Sequence, residues 1–173
     1  MTVPVLQTNQ PNYIGRSVPW EFLIADGTTD PRTRSDDFKI LGSLNNKTFS
    51  LGAETSDNTT DDTLGVLSSL VTYLSFESSA SGFATVEDGT LSNQTTFQRY
   101  FVDQTVASDV RRQPSLWVRI TLPNLTYYAY VNVTSFNITA ASTSTVEFET
   151  SVEATATNSD TIAPVFAVPT PSV

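Results

Sequence analysis

PSLWVRITLPNLTYYAYVNVTSFNITAASTSTVEFETSVEATA, residues 114 to 156, reads as three consecutive β-strands. Leu116, Val118, Ile120 and Leu122 alternate with Trp117, Arg119 and Thr121, the period of two of a sheet with one buried face. Pro123-Asn124 turns the chain, because Pro fixes φ and Asn tolerates tight-turn conformations. Leu125 to Phe136 is rich in the aromatic and β-branched residues that suit a pleated surface. After a polar Ala-Ala-Ser-Thr-Ser break, Thr145 to Thr155 alternates again. Val146, Phe148, Val152 and Ala154 fall on one side, and Glu147, Glu149, Ser151, Glu153 and Thr155 on the other. The expected product is a strand with one apolar face and one acidic face.

Working back from this stretch, Asn93 to Ser108 is the single helix candidate. Phe97, Tyr100, Phe101 and Gln104 stand at i, i+3, i+4 and i+7, which puts three aromatics on one stripe, and Ser92 is placed to cap it. Ser78 to Leu91 is Gly- and Ser-rich and reads as a connection, with a short strand at Phe83 to Val86. Leu64 to Glu77 reads as a long strand, preceded by a polar loop, Ala53 to Thr63, that carries Glu54, Asp57, Asp61 and Asp62 and no base. Asp37 to Leu44 and Thr48 to Gly52 read as two strands joined by a hairpin turn at Asn45-Asn46. Val18 to Ala25 is a short buried strand, followed by a loop at Asp26 to Pro31. The reading is therefore mainly β, a β-sandwich or barrel of antiparallel strands with one flanking α-helix. It is framed by extended arms: an N-terminal arm at 1–17, a β domain at 18–157 and a Pro-rich C-terminal arm at 158–173.

Composition narrows the chemistry. The chain of 173 residues is long enough for a single domain with a real core, and its formal charge is −9. That balance opposes nucleic-acid binding, which needs clustered Lys and Arg against phosphates. There is no Cys and no His, so disulfides, Cys or His zinc sites, thiol catalysis and His-dependent triads are excluded. The N-terminal MTVPVLQTNQPNY lacks a basic segment followed by an apolar one, so no signal peptide is expected, and no apolar run has the length of a membrane helix.

Individual motifs mostly dissolve on inspection. Asn46, Asn58, Asn93, Asn124, Asn132 and Asn137 begin Asn-x-Ser/Thr triplets, which a Thr-rich chain makes by accident. Asp57 to Asp62 resembles a calcium loop, yet Asp62 stands where the loop needs Gly and Ser68 where it needs the closing Glu. Glu147, Glu149 and Glu153 have strand spacing compatible with a carboxylate pair for glycoside hydrolysis, but nothing else points to a sugar cleft. No enzyme, metal or cofactor is expected. Arg99, Arg111, Arg112 and Arg119 concentrate positive charge in a short span, either as ordinary surface charge or as a basic patch for another copy's acidic loop.

The order of parts resembles the major tail tube proteins of long-tailed bacteriophages, a family related in fold to the type VI secretion tube. The resemblance spans about residues 18 to 156. It comprises an early strand, a hairpin, a long polar loop such as Ala53 to Thr63, an aromatic helix such as Phe97 to Val106, and three closing strands. Its closest part is PSLWVRITLPNLTYYAYVNVTSF, a polar gap and STVEFETSVEATA. The resemblance implies hexameric rings that join their sheets into a barrel and stack head to tail into a tube, in a virion tail made in the host cytoplasm. It implies DNA passing through the lumen without specific binding, tape-measure, terminator and distal tail proteins as partners, and no membrane. Glu147, Glu149 and Glu153 are then the expected lumen-lining acidic face. Glu54, Asp57, Asp61 and Asp62 form the expected inter-ring stacking loop, with Arg111 and Arg112 as its complementary basic patch. The rival readings are a capsid decoration or tail terminator protein, and a secreted β-sandwich adhesin or carbohydrate-binding module.

Overall fold

A computed structural model describes residues 18–57, 69–84, 92–106, 113–122, 125–140 and 145–155. Among the described residues there are seven strands: β1 (Trp20–Leu23), β2 (Lys39–Ile40), β3 (Leu44–Asp57), β4 (Ser69–Phe83), β5 (Ser115–Leu122), β6 (Leu125–Thr139) and β7 (Glu147–Ala154). They form one sheet in the order β2-β1-β5-β6-β7-β4-β3, with every pair antiparallel. The described residues also hold one α-helix, α1 (Asn93–Val106), and one 3-10 helix, Pro31–Asp37.

The closing strands and α1 form where the hydrophobic period places them. α1 is capped by Ser92, whose Oγ accepts from the Thr95 amide at 3.1 Å. Its Phe97 is fully buried and meets Trp20, Phe22 and Phe136 with ring centroids 5.9, 5.1 and 5.9 Å apart. Tyr100 and Phe101 pack beside it, half-buried. The sheet curls around this plug. β1 and β4 stand four places apart in the strand order, yet the Trp20 indole Nε1 donates to Ser78 Oγ at 2.9 Å. Ser78 Oγ in turn donates to the Thr48 carbonyl on β3 at 2.7 Å. The concave face thereby closes over a core of Trp20, Phe22, Leu116, Val118, Val131 and Val152, among others. A curled single sheet packing on itself gives the sandwich-like layering, with α1 along one open side.

Six local expectations are corrected. The hairpin at Asn45-Asn46 does not exist: β2 and β3 lie at opposite edges of the sheet, and both asparagines belong to β3 beside a register shift between Leu44 and Asn46. The chain turns earlier, at Gly42-Ser43, where Ser43 adopts φ 59°. Ala53 to Asp57 is strand, not loop, because β3 continues its pairing with β4 to Asp57↔Ser69. Ser78 to Gly82 is strand as well. Its small residues sit between two neighbours, β3 and β7, and close packing requires them. A Cβ at Gly82 would fall 2.2 Å from the Ser43 carbonyl oxygen and 2.8 Å from Leu44 Cα.

The 3-10 helix is not foreseen by the sequence reading, which places Pro31 at the end of a loop and Asp37 at the start of a strand. Pro31 opens it and the Asp30 carboxylate caps it by accepting from the Arg32 amide at 2.9 Å. Finally, β5 buries both its rows. Trp117 is as buried as Leu116, and joins Leu23, Phe38, Tyr128 and Tyr130 in a second core on the sheet's convex face. In β7 the buried row is Phe148, Thr150 and Val152, while Val146 and Ala154 are exposed.

Candidate functional site

The convex face is divided. Over β1 and β5 it is roofed by the 3-10 helix. There the Arg119 guanidinium donates to Glu21 through Nε at 2.6 Å and Nη2 at 2.9 Å, and through Nη1 to the Ser35 carbonyl and hydroxyl at 2.9 and 2.8 Å. It also stacks over the Phe38 ring at 4.4 Å. The Glu21 carboxylate, as the dominant influence, raises the Arg119 pKa above its ordinary value. The Trp117 Nε1 donates to the Asp26 carbonyl at 3.1 Å and ties down the start of the same segment.

Over β3, β4, β7 and the end of β6 the convex face is open. Register and pleat put one row from each strand there. Glu77, Ser79, Ser81 and Phe83 of β4 stand opposite Glu153, Ser151, Glu149 and Glu147 of β7. The same β7 residues face Asn132, Ser135, Asn137 and Thr139 of β6, and Ser50, Thr48 and Asn46 of β3 extend the carpet beyond β4. Glu77, Glu147, Glu149 and Glu153 are all exposed. The hydroxyls partly satisfy one another, as in the 2.6 Å contact between Thr48 Oγ1 and Ser79 Oγ. Among the described residues, no ion pair involves any of the four glutamates; the pairs present are Arg32–Asp30, Arg34–Asp37 and Arg119–Glu21. Nor do three Asp or Glu side chains converge as metal ligands among those residues.

The sequence-derived candidates distribute as follows. Glu147, Glu149 and Glu153 share the open face. Glu54 and Asp57 lie in β3, opposite Tyr73 and Ser69 of β4. Asp61, Asp62, Arg111 and Arg112 lie outside the described residues. Glu77 was missed, although it is aligned directly with Glu153 across the β4–β7 ladder. The signal was present in the alternation of Phe76, Ser78 and Ala80 with Glu77, Ser79 and Ser81, once Ser78 is allowed to continue a strand.

No protein-family model matches the sequence, and no curated protein matches it. Solved structures do match. The tail of an empty gene transfer agent particle, determined with C6 symmetry, superimposes with a TM-score of 0.58 at 16% identity, covering 84% of this chain and 96% of that one. The chain shares the fold of that tail structure. The virion of a native gene transfer agent particle superimposes with a TM-score of 0.56 at 16% identity, over 84% of this chain and 95% of that one. The SPP1 tail tube matches with a TM-score of 0.53 at 12% identity, over 83% of this chain and 76% of that one. In this chain the carboxylate face is open, and the 14-residue strand β3 stands at one edge of the sheet with β4 as its partner strand among the described residues.

Proposed function

We propose that the chain is the structural subunit of a virion tail tube, in which six copies close into a ring, rings stack head to tail, and the carboxylate face of β4 and β7 lines a lumen that conducts DNA. The observation that carries this reading is an open sheet face bearing Glu77, Glu147, Glu149 and Glu153 with no countercharge among the described residues, on a tail-tube fold. Duplex DNA carries one negative charge per roughly 1.7 Å of axis, so a basic wall would hold it and an acidic one repels it. Hydroxyls between the carboxylates keep the wall wet. Ring closure has a physical motive in β3, whose long outer edge presents unpaired backbone groups that pairing with a neighbouring copy satisfies. The C6 symmetry of a structure with the same fold supports six copies.

Stacking uses the β3–β4 hairpin, with Glu54, Asp57, Asp61 and Asp62 set against Arg111 and Arg112 of the next ring as a salt-sensitive component. Tape-measure, terminator and distal tail proteins complete the tube at its core and ends, and no membrane or cofactor takes part. The test is electron microscopy of the purified protein, followed by replacement of Glu77, Glu147, Glu149 and Glu153 by Lys in assembled particles. Tubes should form in both cases, and DNA ejection through the Lys-lined tube should slow. Ejection at the parental rate would remove the electrostatic role of this face, and an absence of tubes in the parent would remove the tube reading.

A further inference from the structure

β6 is shared between two halves of the curled sheet. β5 pairs with it from Leu125 to Asn132 and β7 from Val131 to Thr139, so the halves have only the middle of β6 in common. They face each other across the core and leave two gaps between them. α1 fills one of these. Phe97 meets Phe136 in the second half of β6 at 5.9 Å, and the Tyr100 hydroxyl donates to the Ser115 carbonyl at the start of β5. The other gap lies between β3 and the ends of β1 and β5, and no element covers it among the described residues. It is a cleft of about 330 Å³ lined by Val18, Trp20, Leu44, Phe49, Ile120 and Leu122, among others. Phe49 reaches across to Tyr127 at 5.7 Å, and Lys47 donates from Nζ to the Val18 carbonyl. Phe49 and Leu51 belong to the core-facing row of β3, opposite the buried Ser78 and Phe76, yet they stay 37% and 44% exposed. Burial lowers the Lys47 pKa, and among the described residues no carboxylate pairs with it.

We propose that this cleft receives the exposed C-terminal half of α1 from a second copy of this chain in the same ring. The inference rests on the tube reading. α1 offers what the cleft lacks. Val102, Asp103 and Val106 share its outer face, with Val102 43% and Val106 71% exposed and Asp103 exposed beside them. The valines suit the walls made by Leu44, Phe49 and Leu122, and Asp103 supplies a carboxylate for Lys47. Arg99, one turn earlier, stays outside the end that enters. Position favours the same pairing. The Tyr100 and Phe136 contacts put this half of α1 on the β6 flank, and β3 stands three places from β6, at the opposite edge of that half of the sheet. In a cyclic ring each copy turns one flank to one neighbour and the opposite flank to the other, a heterologous contact that closes by rotation. The neighbour that ring closure brings to the β3 edge therefore presents its α1 flank to the cleft, one wall of which is β3 from Leu44 to Phe49.

The experiment follows ring formation by sedimentation velocity over a concentration series, for the parent and for Val102→Thr/Asp103→Lys/Val106→Thr. All three sites are exposed, so the unfolding midpoint of the unassembled variant should stay close to the parental one. The concentration for half-assembly into rings should rise at least about tenfold, because each interface loses apolar contact and gains a like charge against Lys47. A second measurement uses the absence of cysteine from the chain. Phe49→Cys and Val106→Cys proteins, mixed and treated with a short bis-maleimide, should give a crosslinked dimer that neither gives alone. This measurement carries the test if the triple variant fails to fold. Rings of the triple variant at the parental concentration, or assembled rings without the mixed crosslink, overturn the docking of α1 and leave the tube reading standing. A parent that forms neither rings nor tubes overturns both.

Discussion

Replacing Glu21 by Ala should be among the most damaging single changes outside the concave core. The Glu21 and Arg119 side chains retain only 9% and 14% of their accessibility, so their ion pair is poorly screened. Both guanidinium contacts to the carboxylate are short, at 2.6 and 2.9 Å, and charge-assisted. Removing one partner of such a pair costs about 3–5 kcal/mol, because the other charge stays behind in a poorly solvated place. Arg119 cannot relieve this by losing its proton. It keeps the Ser35 hydrogen bonds and the Phe38 ring, so the lower part of that range applies, about 3 kcal/mol. For a domain of this size that is a fall of roughly 6–12 °C in melting temperature. The assay is urea unfolding of unassembled protein, as a cycle with Arg119→Ala and the double variant. The coupling between the two positions should be about 2–3 kcal/mol. A Glu21→Ala loss below about 0.5 kcal/mol, the level of an ordinary surface substitution, would refute the argument that this pair holds the 3-10 helix over the second core.

Two further outcomes follow from local geometry. Gly82→Ala should destabilise by more than about 2 kcal/mol, since its Cβ would strike the backbone of Ser43 and Leu44, whereas Gly52→Ala meets the movable Ser75 hydroxyl and should cost less than about 1 kcal/mol; denaturant melts of the two variants compare them directly. The Asp30 carboxyl is held below the usual aspartate range, chiefly by the hydrogen bond from Arg32. A folded pKa lower than the unfolded one means that its contribution is complete above the unfolded value and is lost as pH falls through the folded one. Acid titration followed by Trp117 fluorescence should therefore show the 3-10 segment loosening below about pH 4, and Asp30→Asn should remove that transition.

The legible parts of this fold were those whose information is local. The strands β5, β6 and β7 and the aromatic stripe of α1 each rest on a pattern that repeats over several residues, although that pattern does not foretell the second buried row of β5 or the register shift in β6. The carboxylate row Glu147, Glu149 and Glu153 was legible for the same reason. Glu77 was not, because Ser78 to Gly82 carries the small polar residues of a linker. Only the tertiary structure supplies what makes it a strand: Ser78 Oγ bridging the Trp20 indole and the Thr48 carbonyl, and Gly82 pressed against Ser43. Asn45-Asn46 misled in the opposite direction. A turn-prone pair became a strand because the chain had already turned at Gly42-Ser43 and β3 found its partner in β4.

By itself the sequence determined a mainly β domain with one aromatic-faced helix, free of Cys and His chemistry, and an acidic strand near its end. Composition excludes and periodicity orients, and neither depends on knowing a neighbour. Tertiary structure alone decided the strand order β2-β1-β5-β6-β7-β4-β3, the alignment of Glu77 with Glu153, and the roofing of half of the convex face by Arg119 and the 3-10 helix. Those features depend on which distant segments meet. Hydrophobic period carries no record of partner or register, so the breadth of the open carboxylate face became visible only once β4 lay beside β7.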